Sequence, residues 1–317
     1  MRSERAAGIV TAAALLALLV LLFGFTGPWT RDASIAVRTG LAAFAVVAVG
    51  VRLAVGARIV LWLRGALLVA VVVGSVNYYR RSSEVFWGID DYSDVTYYYL
   101  NGKYLDELGH YDLYPAMILA DLETNDHHAS RIERVRDLRD DELKSASFAL
   151  LKGAEVKKRF SAARWAAFAH DADVLLARQT LAELRYIYID HGYNPPATWS
   201  VVGGALASAV PIAWLKLLTL LDLGLVVAAF TAVGWVFGIE PLLWGMLFFV
   251  TTFSGRWPVL GQALLRFDWL CALIGAMCAL RRDRYGLAGG LLGYAAASRV
   301  FPAIFLGAWL FEAVGDT

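Results

Sequence analysis

Three carboxylates, Asp90, Asp91 and Asp94, follow closely on the apolar run "RGALLVAVVVGSV". A carboxylate at a membrane surface can accept a proton from a sugar hydroxyl and make that oxygen nucleophilic. General-base catalysis needs one such group within hydrogen-bond reach of the attacking oxygen. Asp94 stands where a helix starts, and the positive end of the helix dipole favours its ionised form. Spacing alone also allows a plainer reading, with Asp94 as a helix cap and Asp90 and Asp91 as solvated loop.

Two further groups invite chemistry. The stretch "HGYNPP" at 191–196 ends in paired prolines that fix a rigid turn before an apolar segment. That turn would hold His191, Tyr193 and Asn194 at the membrane surface. Asp222, Arg266, Asp268 and Arg299 lie within apolar runs, where charge is costly and usually faces a bundle interior or cavity. Arg266 and Asp268 follow "GQ" at 261–262. Arg299 precedes "VFP". A basic group near the outer leaflet suits the phosphate of an anionic lipid. The plainer readings are snorkelling for Arg266 and an internal ion pair for Arg299. Tyr92, Tyr97, Tyr98, Tyr99, Tyr104, Tyr111 and Tyr114 read as an interfacial belt, rings half-buried and hydroxyls wet. Such rings also stack on sugar faces.

The elements that must position these residues follow from composition. The chain of 317 residues is 59% hydrophobic, with a mean hydropathy of +0.55. More than half of its charged residues fall between 80 and 190, flanked by long apolar runs. This pattern is that of an integral membrane protein with one large water-facing insert. A net charge of +1 with no basic tail excludes a nucleic-acid partner. Cys271 and Cys278 lie seven apart in one apolar run, about 10 Å on a helix, too far for a disulfide. They read as small core residues. The five histidines form no zinc signature, and no metal site is expected.

Hydropathy predicts helices at 7–27, 36–54 and 59–78, an insert over 79–196, and a membrane part over 197–317. Three units follow: 1–78, 79–196 and 197–317. Arg52, Arg58 and Arg64 crowd the turn between the second and third helices, and with Arg2 and Arg5 mark that side as cytoplasmic. The insert then faces outward: the periplasm or exterior of a bacterium, or a lumen. The segment 197–212 reads as an interfacial half-helix, which keeps "RRDR" at 281–284 inside. Four spans follow, at 214–237, 239–254, 260–280 and 286–312, giving seven in all. The insert reads as short helices, one starting at Ser93 or Asp94 and stopping at Gly109, another over "LYPAMILADLE". No useful strand alternation appears, and "ASRIERVRDLRDDELKS" reads as solvated surface. The end at "FEAVGDT" reads as a compact variant or a truncated longer protein.

Taken in order, these features form a pattern: acidic residues beyond a membrane helix, "D-x-x-Y" from Asp94 to Tyr97, then "GKYLDELGHYDLY". A "YNPP" follows before a membrane segment, then "GQ", a basic turn and a basic residue before Pro, in "RRDRYGLAGGLLGYAAASRVFP". Over 59–312 this resembles GT-C superfamily glycosyltransferases, most closely glycosyltransferase family 87 of the polyprenol-phosphate-mannose type. The resemblance implies an all-α polytopic membrane protein, a GT-C-like helix bundle with a large outward first loop. It implies an enzyme that moves a hexose, such as mannose, from a polyprenyl-phosphate donor to a lipid, glycan or protein acceptor, with inversion. It implies no cofactor beyond that lipid-phosphate sugar, which is a substrate. By position it makes Asp94 or Asp91 the base. Tyr97, Lys103, Tyr104, Glu107, His191, Tyr193, Asn194, Gln262 and Arg299 become substrate-binding residues, with Arg299 on the donor phosphate. Two departures stand out: two extra helices precede the acidic loop, and the chain is short for the superfamily. The alternatives from other classes are a multi-pass transporter and a non-catalytic membrane scaffold or sensor.

Overall fold

The computed structural model describes residues 31–55, 60–79, 89, 92–124, 127–252, 264–305 and 307. The expected helix at 7–27, together with Asp90, Asp91 and Gln262, lies outside them. Helices dominate the described residues. Two, α1 (Arg31–Val55) and α2 (Val60–Tyr78), form an apolar hairpin. Three helical stretches, Asp32–Ala54, Leu61–Tyr78 and Ile212–Phe237, are long and apolar enough to cross a membrane.

After α2 comes a layer of short elements. Helix α3 (Tyr92–Val95) runs through a π-helical turn (Thr96–Leu100) into α4 (Asn101–Lys103). Then follow α5 (Leu105–Leu108) and α6 (Leu113–Glu123). Gly109 stops α5 with φ of 59°, a conformation glycine adopts without a Cβ penalty. The segment read as solvated surface instead folds into a hairpin of β1 (Arg134–Asp137) and β2 (Glu142–Ser145), antiparallel with Val135 opposite Lys144. The fold is therefore not purely helical. Each strand carries one apolar residue, so no alternation was visible. Its turn is built from Asp side chains instead: Asp137 accepts from the Arg139 N–H and Asp140 from the Glu142 N–H. Three capped helices complete the layer: α7 (Ala146–Lys157), α8 (Ala162–Leu176) and α9 (Leu181–Ile189). Ser145, Ser161 and Thr180 each accept a hydrogen bond from a backbone N–H of the first turn.

The tyrosines do not form a belt. Tyr97, Tyr98, Tyr99, Tyr104 and Tyr114 are buried in one core with Leu108, Phe168 and Tyr188. Burial of these five is tolerated because each of their hydroxyls has an acceptor, whereas that of Tyr188 has none among the described residues. Tyr97 donates to Ile187 O, Tyr99 to Val210 O, Tyr104 to Asp171 and Tyr114 to Asp190 O. Tyr111 alone of this group is exposed, at 50%.

The second apolar part begins with α10 (Ala197–Ala209), entered from Pro196. Its 13 residues span about 20 Å, short of the roughly 30 Å hydrocarbon core. It crosses α4 where two glycines meet. A Cβ on Gly204 would stand 2.9 Å from the Gly102 carbonyl oxygen. Helix α11 (Leu215–Phe237) is full length, and α12 (Ile239–Thr251), α13 (Asp268–Arg281) and α14 (Tyr285–Ser298) follow. The last three, of 13 or 14 residues, are shorter than the spans expected at 239–254, 260–280 and 286–312. The reason is local. Thr252 and Arg299 take extended backbone, and α13 starts only at Asp268. Basic turns gather at one end: Arg52 and Arg64 meet Glu240, and Arg282 stacks on Trp235. Asp94, Arg266 and Arg299 lie at the other.

Candidate functional site

The site is assembled around a buried carboxylate. Asp222, in the N-terminal half of α11, is fully buried. Its Oδ2 accepts from the Arg266 N–H at 2.7 Å and its Oδ1 from the Phe267 N–H at 3.1 Å. A charge at this depth is stabilised by such donors. The turn they hold is unusual: Leu265 has φ of 52°, costly for a residue with a branched side chain. Trp199 of α10 adds a second restraint, donating Nε1–H to the Leu265 carbonyl at 3.2 Å.

This clamped turn aims Arg266 at the start of α3. Its Nη2 meets Asp94 Oδ2 at 2.5 Å and its Nη1 reaches the Tyr98 hydroxyl at 3.2 Å. The guanidinium lies over the Tyr98 ring, 4.4 Å from its centroid. The two ionic side chains are 16% and 20% exposed, so the pair is shielded and still reachable. Tyr98 donates to Asn194 Oδ1 at 2.9 Å, and its ring packs on Trp199 and Tyr193. Burial raises the Tyr98 phenol above its ordinary value, opposed by the charges of Arg266 and Arg299. It stays a neutral donor at physiological pH.

Beside Arg266 opens an apolar cavity of about 680 Å³ between α11, α12 and α13. Phe248, Leu273, Met277 and Phe301 line it, and its charged lining residues are Arg266 and Arg299. Both arginines stand at the same end, because α14 runs back along α13. Tyr294 donates to Asp268 at 2.6 Å, and Phe301 packs on Trp269 at 4.7 Å. The Nε of Arg266 is buried with no acceptor among the described residues. A pair of guanidinium groups capping an apolar cleft suits an amphiphile with an anionic head.

Of the residues singled out from sequence, Asp94, Tyr193, Asn194 and Arg299 gather here. Tyr97, Lys103, Tyr104, Glu107 and His191 do not. Tyr97 is sealed in the core. Lys103 pairs with buried Asp171 at 2.7 Å, and Tyr104 donates to the same carboxylate at 2.8 Å. Burial first, then Asp171, raises the Tyr104 phenol and keeps it neutral. Glu107 binds Arg164 at 2.7 Å. His191 is exposed beside Asp141 at 3.1 Å. Tyr98 and Trp199 are additions that no spacing distinguished from neighbouring aromatics. Arg266 and Asp222 were conspicuous as charges in apolar runs, but their partners were not. Comparison with protein-family models, with curated proteins and with solved structures gave no match.

Proposed function

We propose that the chain is a membrane glycosyltransferase of GT-C type that moves a hexose from a polyprenyl-phosphate donor to a hydroxylated acceptor at the outer membrane face. The observation that carries this reading is the position of Arg266. One guanidinium touches Asp94 and also lines the apolar cleft that Arg299 shares. The donor's isoprenoid chain would occupy the cleft. Its phosphate would meet Arg299 and Arg266 at the end of the cleft that they line.

In the reaction an acceptor hydroxyl attacks the sugar's anomeric carbon from the face opposite the phosphate. Its proton passes to Asp94. The bond between the anomeric carbon and the phosphate oxygen breaks, and the electron pair leaves with the phosphate. The charge growing on that phosphate is met by fixed guanidinium groups, which need no reorganisation. Tyr193 and Asn194 border the space beside Tyr98 and would contact the sugar or acceptor. This reading carries with it an outward-facing soluble layer and a hexose such as mannose.

The test is a donor comparison. Membranes containing the chain receive radiolabelled hexose either on polyprenyl phosphate or on a nucleotide. Transfer from the lipid donor, absent from control membranes, is expected. Transfer only from the nucleotide sugar would overturn the proposal.

A further inference from the structure

Trp199 is buried in the first turn of α10, and its indole touches both sides of the Asp94–Arg266 contact. On one side its Nε1–H donates to the carbonyl of Leu265, the residue before Arg266. On the other its ring meets the Tyr98 ring edge-on, with centroids 4.8 Å apart. Tyr98 lies four residues beyond Asp94 in the same helical run. Arg266 stacks on that Tyr98 ring and donates to its hydroxyl. One rigid side chain thus braces both the turn that carries the cation and the run that carries the carboxylate.

The helix leaves space for it. Gly203 stands four residues after Trp199, where a Cβ would point back toward the preceding turn. A Cβ there would stand 2.5 Å from the indole, closer than two carbons approach. The indole is one rigid plane, so an added methyl group would have to turn the whole ring.

We propose that Trp199 is a positioning residue that sets the separation of Asp94 and Arg266, and that position 203 is glycine to admit its ring. The role in transfer rests on the reading of Asp94 as the base. In that reaction the base acts on the acceptor and the cation on the leaving phosphate. Their separation therefore fixes the line along which the hydroxyl approaches the anomeric carbon. A misplacement of about 1 Å can slow such a step on the order of 100-fold. Asp222 holds the Arg266 and Phe267 N–H groups independently of the indole, so the donor cleft keeps its shape when the ring is disturbed.

Two variants disturb the indole in different ways. Trp199→Phe keeps a ring against Tyr98 and removes the N–H that Leu265 accepts. Gly203→Ala keeps that N–H, favours the helix and displaces the ring. Each is expected to lower kcat by about 10- to 100-fold while KM for the polyprenyl-phosphate hexose stays within about 3-fold. A second readout needs no transfer. Thermal unfolding of Asp94→Asn, Arg266→Met and the double variant in detergent gives the coupling of the pair. The double variant should lose less melting temperature than the two single losses summed. That shortfall is expected to shrink to half or less in the Trp199→Phe and Gly203→Ala backgrounds. An unchanged shortfall in both backgrounds would overturn the proposal. So would a wild-type kcat in both variants, or a raised KM with kcat unchanged. If Trp199→Phe does not fold, Gly203→Ala decides alone. Absence of transfer by the wild type would instead overturn the glycosyltransferase reading, and the coupling would still decide for or against Trp199.

Discussion

Arg266 and Asp94 stand 172 residues apart in the chain and 2.5 Å apart in space. The contact ties the turn before α13 to α3, the first helix of the layer of short elements. It also couples a carboxylate to an apolar cleft through one side chain. Removing the cation takes from Asp94, a side chain only 20% exposed, the guanidinium that it meets in the folded protein. Arg266→Met is expected to destabilise the protein by about 1–3 kcal/mol, less than for a fully buried pair because both groups keep some solvent. Thermal unfolding in detergent reads this directly. A melting temperature equal to that of the wild type would show that the pair contributes nothing.

Arg299 has a different role in this account, since its guanidinium lines the cleft at the point where a phosphate would lie. Arg299→Met keeps the side chain's apolar stem and removes the charge. Affinity for polyprenyl phosphate, measured without any sugar, is expected to fall about 10-fold or more. Unchanged affinity would assign Arg299 to structure.

Asp222 touches neither Asp94 nor the cleft, yet it sets the turn that carries Arg266. Asp222→Asn would replace one acceptor with an amide facing a backbone N–H. The expected cost is about 1–3 kcal/mol, with transfer activity lost in the same variant. The informative comparison is Asp222→Asn with Arg266→Met. Both should weaken donor binding. Asp222→Asn should also speed hydrogen exchange at Arg266 or Phe267, because one of the two N–H groups loses its acceptor. Unaltered exchange at both would contradict the clamp.

The proposed orientation is tested from the layer of short elements. Ser147 lies exposed on α7, outside the helices long and apolar enough to cross a membrane, and Ser147→Cys offers an accessible thiol. A membrane-impermeant maleimide applied to intact cells should label it. Labelling only after the membrane is opened would reverse the topology.

What the sequence disclosed follows the physics of each signal. Long apolar runs located α1, α2 and α11 within a few residues, because hydropathy reports directly on solvent. The glycine at 109 and the prolines at 195 and 196 marked real boundaries, because their backbone constraints are local. The hairpin at 134–145 was missed because Asp side chains make its turn and only Val135 is buried. The tyrosines were misread because composition cannot tell a ring at an interface from one whose hydroxyl finds Ile187 O or Asp171 in a core. Pairing was the deepest gap. Asp94, Asp222 and Arg266 were each visible as unusual charges, but the contacts among them depend on how α11, α13 and α3 pack, and no spacing encodes that.

The central claim rests on Asp94 taking the acceptor's proton. Its most direct test is the initial rate of hexose transfer from polyprenyl-phosphate donor by the wild type and by Asp94→Asn, with donor saturating and folding checked by thermal unfolding. Loss of a general base should slow transfer by about 100- to 10,000-fold while the protein stays folded and binds polyprenyl phosphate. A folded Asp94→Asn enzyme that transfers hexose at the wild-type rate would contradict the account.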